Sequence, residues 1–213
     1  MSNNLNQIKD AIISGKHKEI EDLVRAAVKE DLDLDSLIND TMIAAMDIVG
    51  QKFADNEIYV PEMLVSAMTM KKGLEIIKPL LQDAASESKG TIIMCTVKGD
   101  MHDIGKNLVI MMLEGAGFNV IDLGVDLSVE KLIEQVEEAK PEVLGLSALL
   151  TTTMSEMKKV IETLEEKGLR NNVKVIVGGA PVDAVFAQKI GADGYGADAT
   201  EAVKQARRLI AAN

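Results

Sequence analysis

The sequence predicts an α/β protein built in two parts, a four-helix bundle followed by a five-stranded parallel sheet. Apolar residues recur at helical spacing up to about residue 81. After residue 90, short β-branched runs alternate with helical patterns instead. The intervening segment Asp83–Gly90 is polar and small, as expected for a linker. We therefore expect a helical cap domain over residues 1–88 and a sheet domain over residues 89–213.

Each predicted helix of the first part has an end signal or an apolar stripe. The first covers Leu5–Ser14 and stops at Gly15, since glycine favours helix C-termini. The second runs from His17 to about Leu32, and Asp35 is expected to cap the third. The fourth carries Pro61 in its first turn, where proline is tolerated. The apolar stripes of the last three helices are Ile20, Leu23, Val24, Ala27 and Val28; Ile38, Met42, Ala45, Met46, Val49 and Phe53; and Leu64, Ala67, Leu74, Ile77 and Leu81.

The second part alternates strand and helix patterns. The strand runs are Thr91–Val97, Asn119–Leu123, Val143–Ser147, Val173–Val177 and the short Gly194-Tyr195. The helical patterns are Ile104–Glu114, Ser128–Ala139, Ser155–Lys167, Val182–Lys189 and Thr200–Ala212. This alternation is typical of a parallel sheet covered on both faces. We therefore expect a doubly wound sheet of the flavodoxin-like (Rossmann-like) kind.

The composition of the chain argues against several classes of function. The chain of 213 residues has a formal net charge of −11, and 2% of its residues are aromatic. Without a basic stripe or stacking aromatics, it lacks the usual footprint for nucleic acid or an anionic membrane. The first residues form no cationic and apolar leader, and no window reaches the roughly 20 apolar residues of a membrane span, which predicts a cytoplasmic protein. The single Cys95 lies in an apolar run and is interpreted as a core residue.

Unusual residues follow three of the predicted strands, at the edge where open α/β sheets bind ligands. They are the loop from Lys98 to Asn107, the segment Ser147–Thr153 and the run Gly178–Pro181. Small residues there leave room for a ligand against the backbone. A tight turn between strand and helix is a sufficient explanation for Gly178-Gly179 alone.

His102 is the candidate metal ligand in the first of these loops. The other histidine, His17, lies in a charged segment and is interpreted as a surface residue. Asp100, two residues before His102, is placed to accept the second ring N–H of a metal-bound imidazole. No second His, Cys or Glu in the loop completes a protein-only site, so the remaining ligands would come with a cofactor.

Three motifs occur in order along the chain: Asp100-Met101-His102-Asp103-Ile104-Gly105, Ser147-Ala148-Leu149 and Gly178-Gly179. Together they resemble the Asp-x-His-x-x-Gly…Ser-x-Leu…Gly-Gly signature of cobalamin-binding domains. The wider run Val97–Asn107 is similar to that of methionine synthase and of the corrinoid proteins that serve methanol, methylamine and betaine methyltransferases. Those corrinoid proteins also carry an N-terminal four-helix domain, so the resemblance covers nearly the whole chain.

The resemblance implies that cobalamin binds with its own benzimidazole displaced, and that His102 becomes the lower ligand of the cobalt. Asp100 and Thr153 would form a relay behind His102, with Thr where methionine synthase usually has Ser. Phe53 and Val60 match residues that cover the upper corrin face, although core filling between helices explains both equally well. The implied cofactor-binding set is Gly99, Asp100, Met101, His102, Asp103, Ile104, Gly105, Ser147, Leu149, Thr151, Thr153, Gly178, Gly179, Ala180, Tyr195, Gly196, Ala199, Phe53 and Val60.

The resemblance also implies a function. Such a chain carries a methyl group on cobalamin from a substrate-specific methyltransferase to a second methyltransferase, whose acceptor is a folate, a pterin or a thiol. It is the methyl-carrying subunit of a cobalamin-dependent methyltransferase system and not a complete enzyme alone. A reductive activase is a further implied partner, whereas nucleic acid and membranes are not expected as partners. Methanol, methylamines, betaines and aryl methyl ethers all stay open as the methyl source, and overall likeness favours a methylamine or a betaine.

Four alternatives stay open on the sequence. A cobalamin-dependent sensor or regulatory module shares the fold but usually adds a DNA-binding module. An adenosylcobalamin mutase subunit shares the histidine signature but commonly works without this helical cap. A receiver domain requires an acidic cluster before the phosphoacceptor and a lysine after the fifth strand, and neither feature is clear in this sequence. A flavodoxin requires aromatic partners for its flavin, and aromatic residues are scarce here.

Overall fold

The computed structural model describes residues 3–30, 33–81 and 88–212. Residues 82–87, which make up most of the predicted linker, lie outside the described residues. The chain divides into two compact units, Met1–Ser88 with Met111–Gly117, and Lys89–Ile110 with Phe118–Asn213. We propose that the boundary between the two domains lies between residues 88 and 89.

Helices form the first unit. Gly15 has a φ of 65° directly after the first helix, so it provides the predicted stop. The third predicted helix consists of three consecutive segments, because a π-helical stretch separates two α-helical ones. The bounds are α1 (Asn3–Ile13), α2 (Ile20–Lys29), α3 (Leu34–Ser36), the π-helical segment (Leu37–Ile43), α4 (Ala44–Ala54) and α5 (Val60–Leu81).

Two helix starts differ from the sequence prediction. The second helix begins at Ile20, and His17 lies in a turn before it. The cap of the third helix is Asp33 and not Asp35, because the Asp33 carboxylate accepts the backbone N–H of Ser36 at 2.9 Å. An acidic side chain three residues before that N–H satisfies one of the unpaired donors of the first turn.

The predicted stripes are confirmed at most positions of the third helix, where Met42, Ala45, Met46 and Val49 are buried, and they differ at a few others. In the π-helical segment Leu37 and Thr41 are buried, whereas Ile38 is only half-buried. A π-helical turn accommodates an extra residue, which changes the spacing of the buried positions around Ile38. In α5 the buried apolar side chains are Met63, Ala67, Met70 and Ile77, and the predicted Leu64 and Leu74 are half-buried.

The second unit contains one five-stranded sheet within the described residues. Its strands are all parallel and lie in the order β2-β1-β3-β4-β5. The predicted doubly wound α/β fold is therefore confirmed. The strands are β1 (Thr91–Thr96), β2 (Asn119–Asp122), β3 (Val143–Ser147), β4 (Lys174–Gly178) and β5 (Gly194–Gly196), and the helices are α6 (Ile104–Gly115), α7 (Val129–Ala139), α8 (Met154–Glu166), α9 (Ala184–Lys189) and α10 (Ala199–Ala211).

The sheet core is aliphatic. Ile93, Leu144 and Val175 on the three central strands are fully buried, and Ile133 and Ile161 pack against them from α7 and α8. Near-continuous burial along β1 and β3 is typical of parallel strands covered on both faces.

Cys95 belongs to this core, as predicted. Burial raises the pKa of its thiol to about 12, so the group stays protonated and unreactive at neutral pH. Among the helices that the structure describes, none is long and apolar enough to cross a membrane.

The register of the sheet aligns its carboxyl ends. Thr96 of β1 pairs with Ser147 of β3, Ser147 with Gly178 of β4, and Gly178 with Gly196 of β5. These four residues form one row across the sheet. The loops that follow this row therefore emerge at a common edge, which is where parallel sheets bind ligands.

Replacing a core isoleucine tests the packing of the sheet unit. We expect Ile93→Ala to lower the free energy of unfolding by about 2–5 kcal/mol, since Ile93 is fully buried. Ile104→Ala is the matched control, because Ile104 is 83% exposed and its truncation is expected to cost no more than about 0.5 kcal/mol. Urea titrations followed by circular dichroism measure both. Equal losses in the two variants would contradict the described core.

Candidate functional site

The site is organised around the side chain of Asp100, which lies after β1 and is fully buried. Its Oδ1 accepts hydrogen bonds from the His102 backbone N–H at 3.1 Å and from His102 Nδ1 at 2.7 Å. Its Oδ2 accepts from the backbone N–H groups of Leu149 and Leu150 at 2.8 and 3.1 Å, and from the Thr153 hydroxyl at 2.8 Å. One carboxylate therefore joins the loops that follow β1 and β3.

The charge state of Asp100 follows from these bonds. Burial by itself raises the pKa of the carboxyl, but the hydrogen bonds from His102, Leu149 and Thr153 outweigh it and hold the pKa of Asp100 well below its ordinary value. The side chain is therefore an ionised, acceptor-only carboxylate at neutral pH.

The ionised Asp100 fixes the tautomer of His102. Because the carboxylate has no proton to donate, the hydrogen bond between them requires a proton on Nδ1 of the imidazole. In the neutral ring, Nε2 then keeps a free lone pair. The His102 side chain is 51% exposed, so this nitrogen is available to a metal ion from the open side of the loop. A carboxylate behind a ligating imidazole is the usual support of a metal-bound histidine.

The protein provides no complete metal site around His102. Within residues 3–30, 33–81 and 88–212, no three His, Cys, Asp or Glu side chains gather as a set of metal ligands. A metal ion bound by His102 must therefore bring its other ligands with it, as a metal held in a macrocycle does.

Two further residues hold the loop that carries His102. The buried Thr96 hydroxyl donates to the His102 carbonyl at 3.0 Å. The Asp126 carboxylate accepts the Gly99 N–H at 2.7 Å, while the Asp126 N–H donates to the Asp100 carbonyl at 3.0 Å. The sequence interpretation missed both, since Thr96 resembles any β-branched strand residue and Asp126 lies in a loop without a motif.

Lys106 also anchors this region, and sequence reasoning assigned it no role. Its side chain is buried, and its Nζ lies 2.5 Å from Asp122 Oδ1 and 3.1 Å from Asn107 Oδ1. A buried ammonium group requires such partners. The pair joins the first turns of α6 to the end of β2.

The surface beside His102 is apolar and open. The side chains of Met101 and Ile104 are 67% and 83% exposed, and those of Leu149 and Leu150 are 43% and 41% exposed. A Cβ added at Gly105 would meet no described atom within 4 Å, although glycine in a helix costs up to about 1 kcal/mol relative to alanine. Protein packing does not require this glycine, whereas a ligand lying against α6 would. The residues present therefore fit a flat macrocycle such as a corrin.

The glycines at the end of β4, Gly178 and Gly179, are explained by the packing of the protein itself. Gly179 has a φ of 123°, and a Cβ there would overlap the carbonyl oxygen of Ala148. A Cβ at Gly178 would lie 2.9 Å from the carbonyl oxygen of Gly196. The close approach of these loops thus explains both glycines, and it keeps this part of the edge narrow and free of side chains.

Most of the predicted site residues lie at the carboxyl edge of the sheet, in the loops after β1, β3 and β4, at the ends of β3, β4 and β5, and at the starts of α6 and α10. Thr151 and Ala180 are exposed there, Asp103 is half-buried and accepts the side-chain amide of Asn107 at 3.0 Å, and Ala199 is the buried first residue of α10. Tyr195 differs, because its half-buried side chain packs against the sheet core.

Phe53 and Val60 belong to the helical unit. Phe53 is half-buried in the last turn of α4, and Val60 is 38% exposed as the first residue of α5. Their location over a corrin stays a prediction.

Comparison with known families assigns both parts of the chain. Residues 90–204, more than half of the chain, match the family model of a B12 binding domain. Residues 5–78 match a second model that is also described as a B12 binding domain. The fold and the site thus define a two-domain B12-binding protein.

Similar proteins that carry names indicate the family within this class. A corrinoid protein of Desulfitobacterium hafniense strain Y51 is 41% identical over 209 residues, with 97% of each chain covered. A dimethylamine corrinoid protein of Methanosarcina barkeri is 43% identical over 208 residues, again with 97% of each covered. In the solved methanol:cobalamin methyltransferase complex of Methanosarcina barkeri, one chain is 32% identical with a TM-score of 0.87, covering 100% of this chain and 81% of that one. The chain belongs to the corrinoid protein family.

The pH dependence of stability tests the buried carboxylate. The folded pKa of Asp100 is lower than its ordinary value of about 3.9, so its contribution is fully present above that value and is lost as the pH falls through the folded pKa. We expect Asp100→Asn to lower the free energy of unfolding at neutral pH by about 2 kcal/mol or more, since Asn cannot accept all the bonds that Asp100 accepts.

Denaturant titrations between about pH 7 and pH 2 check this expectation. The stability of the wild-type protein should fall more steeply in acid than that of Asp100→Asn, so the gap between them narrows. Parallel curves would show that Asp100 is not held in its ionised form by the folded protein.

Proposed function

We propose that this chain is a corrinoid methyl carrier that holds cobalamin with His102 as the lower ligand of the cobalt. The half-exposed His102 ring carries the proposal, because its Nδ1 binds a buried, ionised carboxylate at 2.7 Å and no described residue forms a hydrogen bond with its Nε2. A metal site built from protein side chains alone combines several ligands, whereas His102 is a single candidate ligand. When bound, cobalamin supplies a cobalt centre that accepts and gives up a methyl group.

The residues around His102 orient this ligand. Asp100 keeps the proton on Nδ1, so Nε2 is always the nitrogen presented to a metal. The Thr153 hydroxyl donates to the other Asp100 oxygen and so serves as the outer member of the relay. The Thr153 hydroxyl also lies 2.8 Å from the Leu150 carbonyl oxygen. The hydroxyl proton therefore has a second acceptor when it is not donated to Asp100.

The carboxyl edge of the sheet accommodates the rest of the cofactor. Met101, Ile104 and Leu149 provide the exposed apolar surface on which a corrin ring lies. The side-chain-free edge at Gly178 and Gly179 accommodates the displaced nucleotide tail, and the other edge residues of the predicted set line its path. Phe53 and Val60 of the helical unit are proposed to cover the upper corrin face.

Methyltransferases are the partners of such a carrier. The relatives include proteins named dimethylamine and trimethylamine corrinoid proteins, and a structural neighbour belongs to a methanol:cobalamin methyltransferase complex. These names favour a methyl carrier over a cobalamin sensor. We propose a methylamine-specific methyltransferase as the donor enzyme, a folate- or pterin-dependent methyltransferase or a thiol methyltransferase as the acceptor enzyme, and a reductive activase that restores the active cofactor.

Replacement of His102 tests the ligand. The full chain is reconstituted with hydroxocobalamin, desalted and reduced to the cobalt(II) form. With nitrogen-15-labelled protein, the electron paramagnetic resonance spectrum of the wild type should show the two-line splitting of one protein nitrogen, which the cofactor's own unlabelled benzimidazole does not give. His102→Ala should lose this splitting while keeping the wild-type circular dichroism spectrum. His17→Ala is the matched control, since His17 is the other histidine of the chain and is exposed. Unchanged nitrogen splitting in His102→Ala would refute the role of His102.

A donor panel tests the carrier function. The reduced, cobalamin-loaded chain is mixed with a methylamine-specific methyltransferase and mono-, di- or trimethylamine, and separately with a methanol-specific enzyme and methanol. We expect a change in corrin absorbance with one of the methylamines, and no change when the enzyme or the amine is omitted. If the loaded chain responds to no donor pair yet changes conformation on loading, the sensor alternative is favoured instead.

A further inference from the structure

His102 is fixed at three atoms, and one of these contacts is independent of Asp100. Its ring Nδ1 and its backbone N–H both bind the Asp100 carboxylate. Its carbonyl oxygen instead accepts a hydrogen bond at 3.0 Å from the hydroxyl of Thr96. Thr96 is the last residue of β1, so this third contact connects the ligand loop directly to a central strand of the sheet.

The Thr96 hydroxyl is not needed for strand pairing. The backbone N–H of Thr96 donates to the Gly124 carbonyl at 3.0 Å, and its carbonyl accepts the Leu127 N–H at 3.3 Å. The side chain is fully buried, so its hydroxyl cannot turn to water without disturbing the core. A buried hydroxyl requires a partner, and the His102 carbonyl supplies one.

We propose that Thr96 is a positioning residue for the cobalt ligand, an inference that rests on the proposed role of His102. The Asp100 carboxylate sets the tautomer and the direction of the ring, but it leaves the peptide group after His102 without an anchor. The Thr96 hydroxyl holds that peptide group, and with it the height of Nε2 above the sheet edge. The ligand thus has two supports, a carboxylate behind its ring and a hydroxyl behind its backbone.

A positioning role for Thr96 has a different measurable effect from a role in filling the core. A purely structural threonine, once replaced, lowers the stability of the protein and leaves cobalt ligation unchanged. A positioning threonine, once replaced, shifts the equilibrium between ligated and unligated imidazole even where the fold is retained. The ligation state is therefore the measurement that distinguishes the two roles.

The experiment uses the full chain loaded with hydroxocobalamin and reduced to the cobalt(II) form. In Thr96→Val a methyl group faces the His102 carbonyl. We expect the ratio of nitrogen-ligated to unligated cobalt, read from the electron paramagnetic resonance spectrum, to fall about fivefold, the equilibrium effect of one lost hydrogen bond. Thr96→Ser keeps the hydroxyl and should restore the wild-type ratio.

Thr69→Val is the matched control. Thr69 is another fully buried threonine whose hydroxyl donates to a backbone carbonyl, that of Val65 at 2.7 Å, but it lies in the helical unit. Its replacement should lower the melting temperature without changing the ligation ratio. A drop in that ratio for Thr69→Val as large as for Thr96→Val would overturn the proposal, because it would trace the effect to general destabilisation.

The outcomes also separate this inference from the proposed function. If the wild-type protein shows no nitrogen splitting, the role of His102 fails and Thr96 has nothing to position. If the wild-type protein shows the splitting and Thr96→Val keeps the same ratio, only the role of Thr96 fails. Should Thr96→Val not fold, Thr96→Ala removes the hydroxyl without placing a methyl group at the carbonyl, and it is read by the same ratio.

Discussion

The structure of the site depends on one buried negative charge. A carboxylate removed from water is costly unless donors satisfy its oxygens, and Asp100 receives hydrogen bonds from its own loop and from the loop after β3. Both loops must therefore take up one particular arrangement for the charge to be tolerated. The same requirement selects the His102 tautomer, because an ionised Asp100 accepts only from a protonated Nδ1. The geometry of these loops and the state of the candidate ligand thus share a single electrostatic cause.

The sheet makes this arrangement available. Parallel strands bring their carboxyl ends to one edge, and the row from Thr96 through Ser147 and Gly178 to Gly196 shows how closely they are aligned. Because the row contains small residues, the loops approach each other at backbone distance, as the close approach of Gly179 to Ala148 illustrates. The donors that reach Asp100 from Leu149 and Leu150 are consequently main-chain N–H groups. Side chains at these positions remain exposed, and they are free to form the surface beside the imidazole.

The contrast between side-chain and main-chain contacts explains how much of the structure the sequence could predict. Strands and helices of the second unit were predicted to within a few residues, because their apolar periods are strong, and the pairing of Asp100 with His102 followed from their spacing. The partners of Asp100 that donate from the backbone carry no sequence signal, since any residue type supplies an N–H group. Thr96 was hidden for a related reason, because its β-branched side chain suits a strand whether or not its hydroxyl has a task. In the helical unit, Met42, Ala45, Met46 and Val49 are buried as predicted, but the π-helical segment Leu37–Ile43 buries Leu37 and Thr41 in place of Ile38. Periodicity alone does not reveal such a segment.

The distribution of supports around His102 is consistent with its proposed role as a metal ligand. Nδ1, the backbone N–H and the carbonyl of His102 are all bound to buried groups of the sheet unit, while the ring is half-exposed. In that proposed role, binding and release of a metal at Nε2 would change one bond and leave the others in place. The ligand is pre-organised, so little conformational entropy is lost each time the bond forms again. A site in which only one atom would exchange its partner suits the proposed methyl carrier, because the same geometry is kept through each cycle.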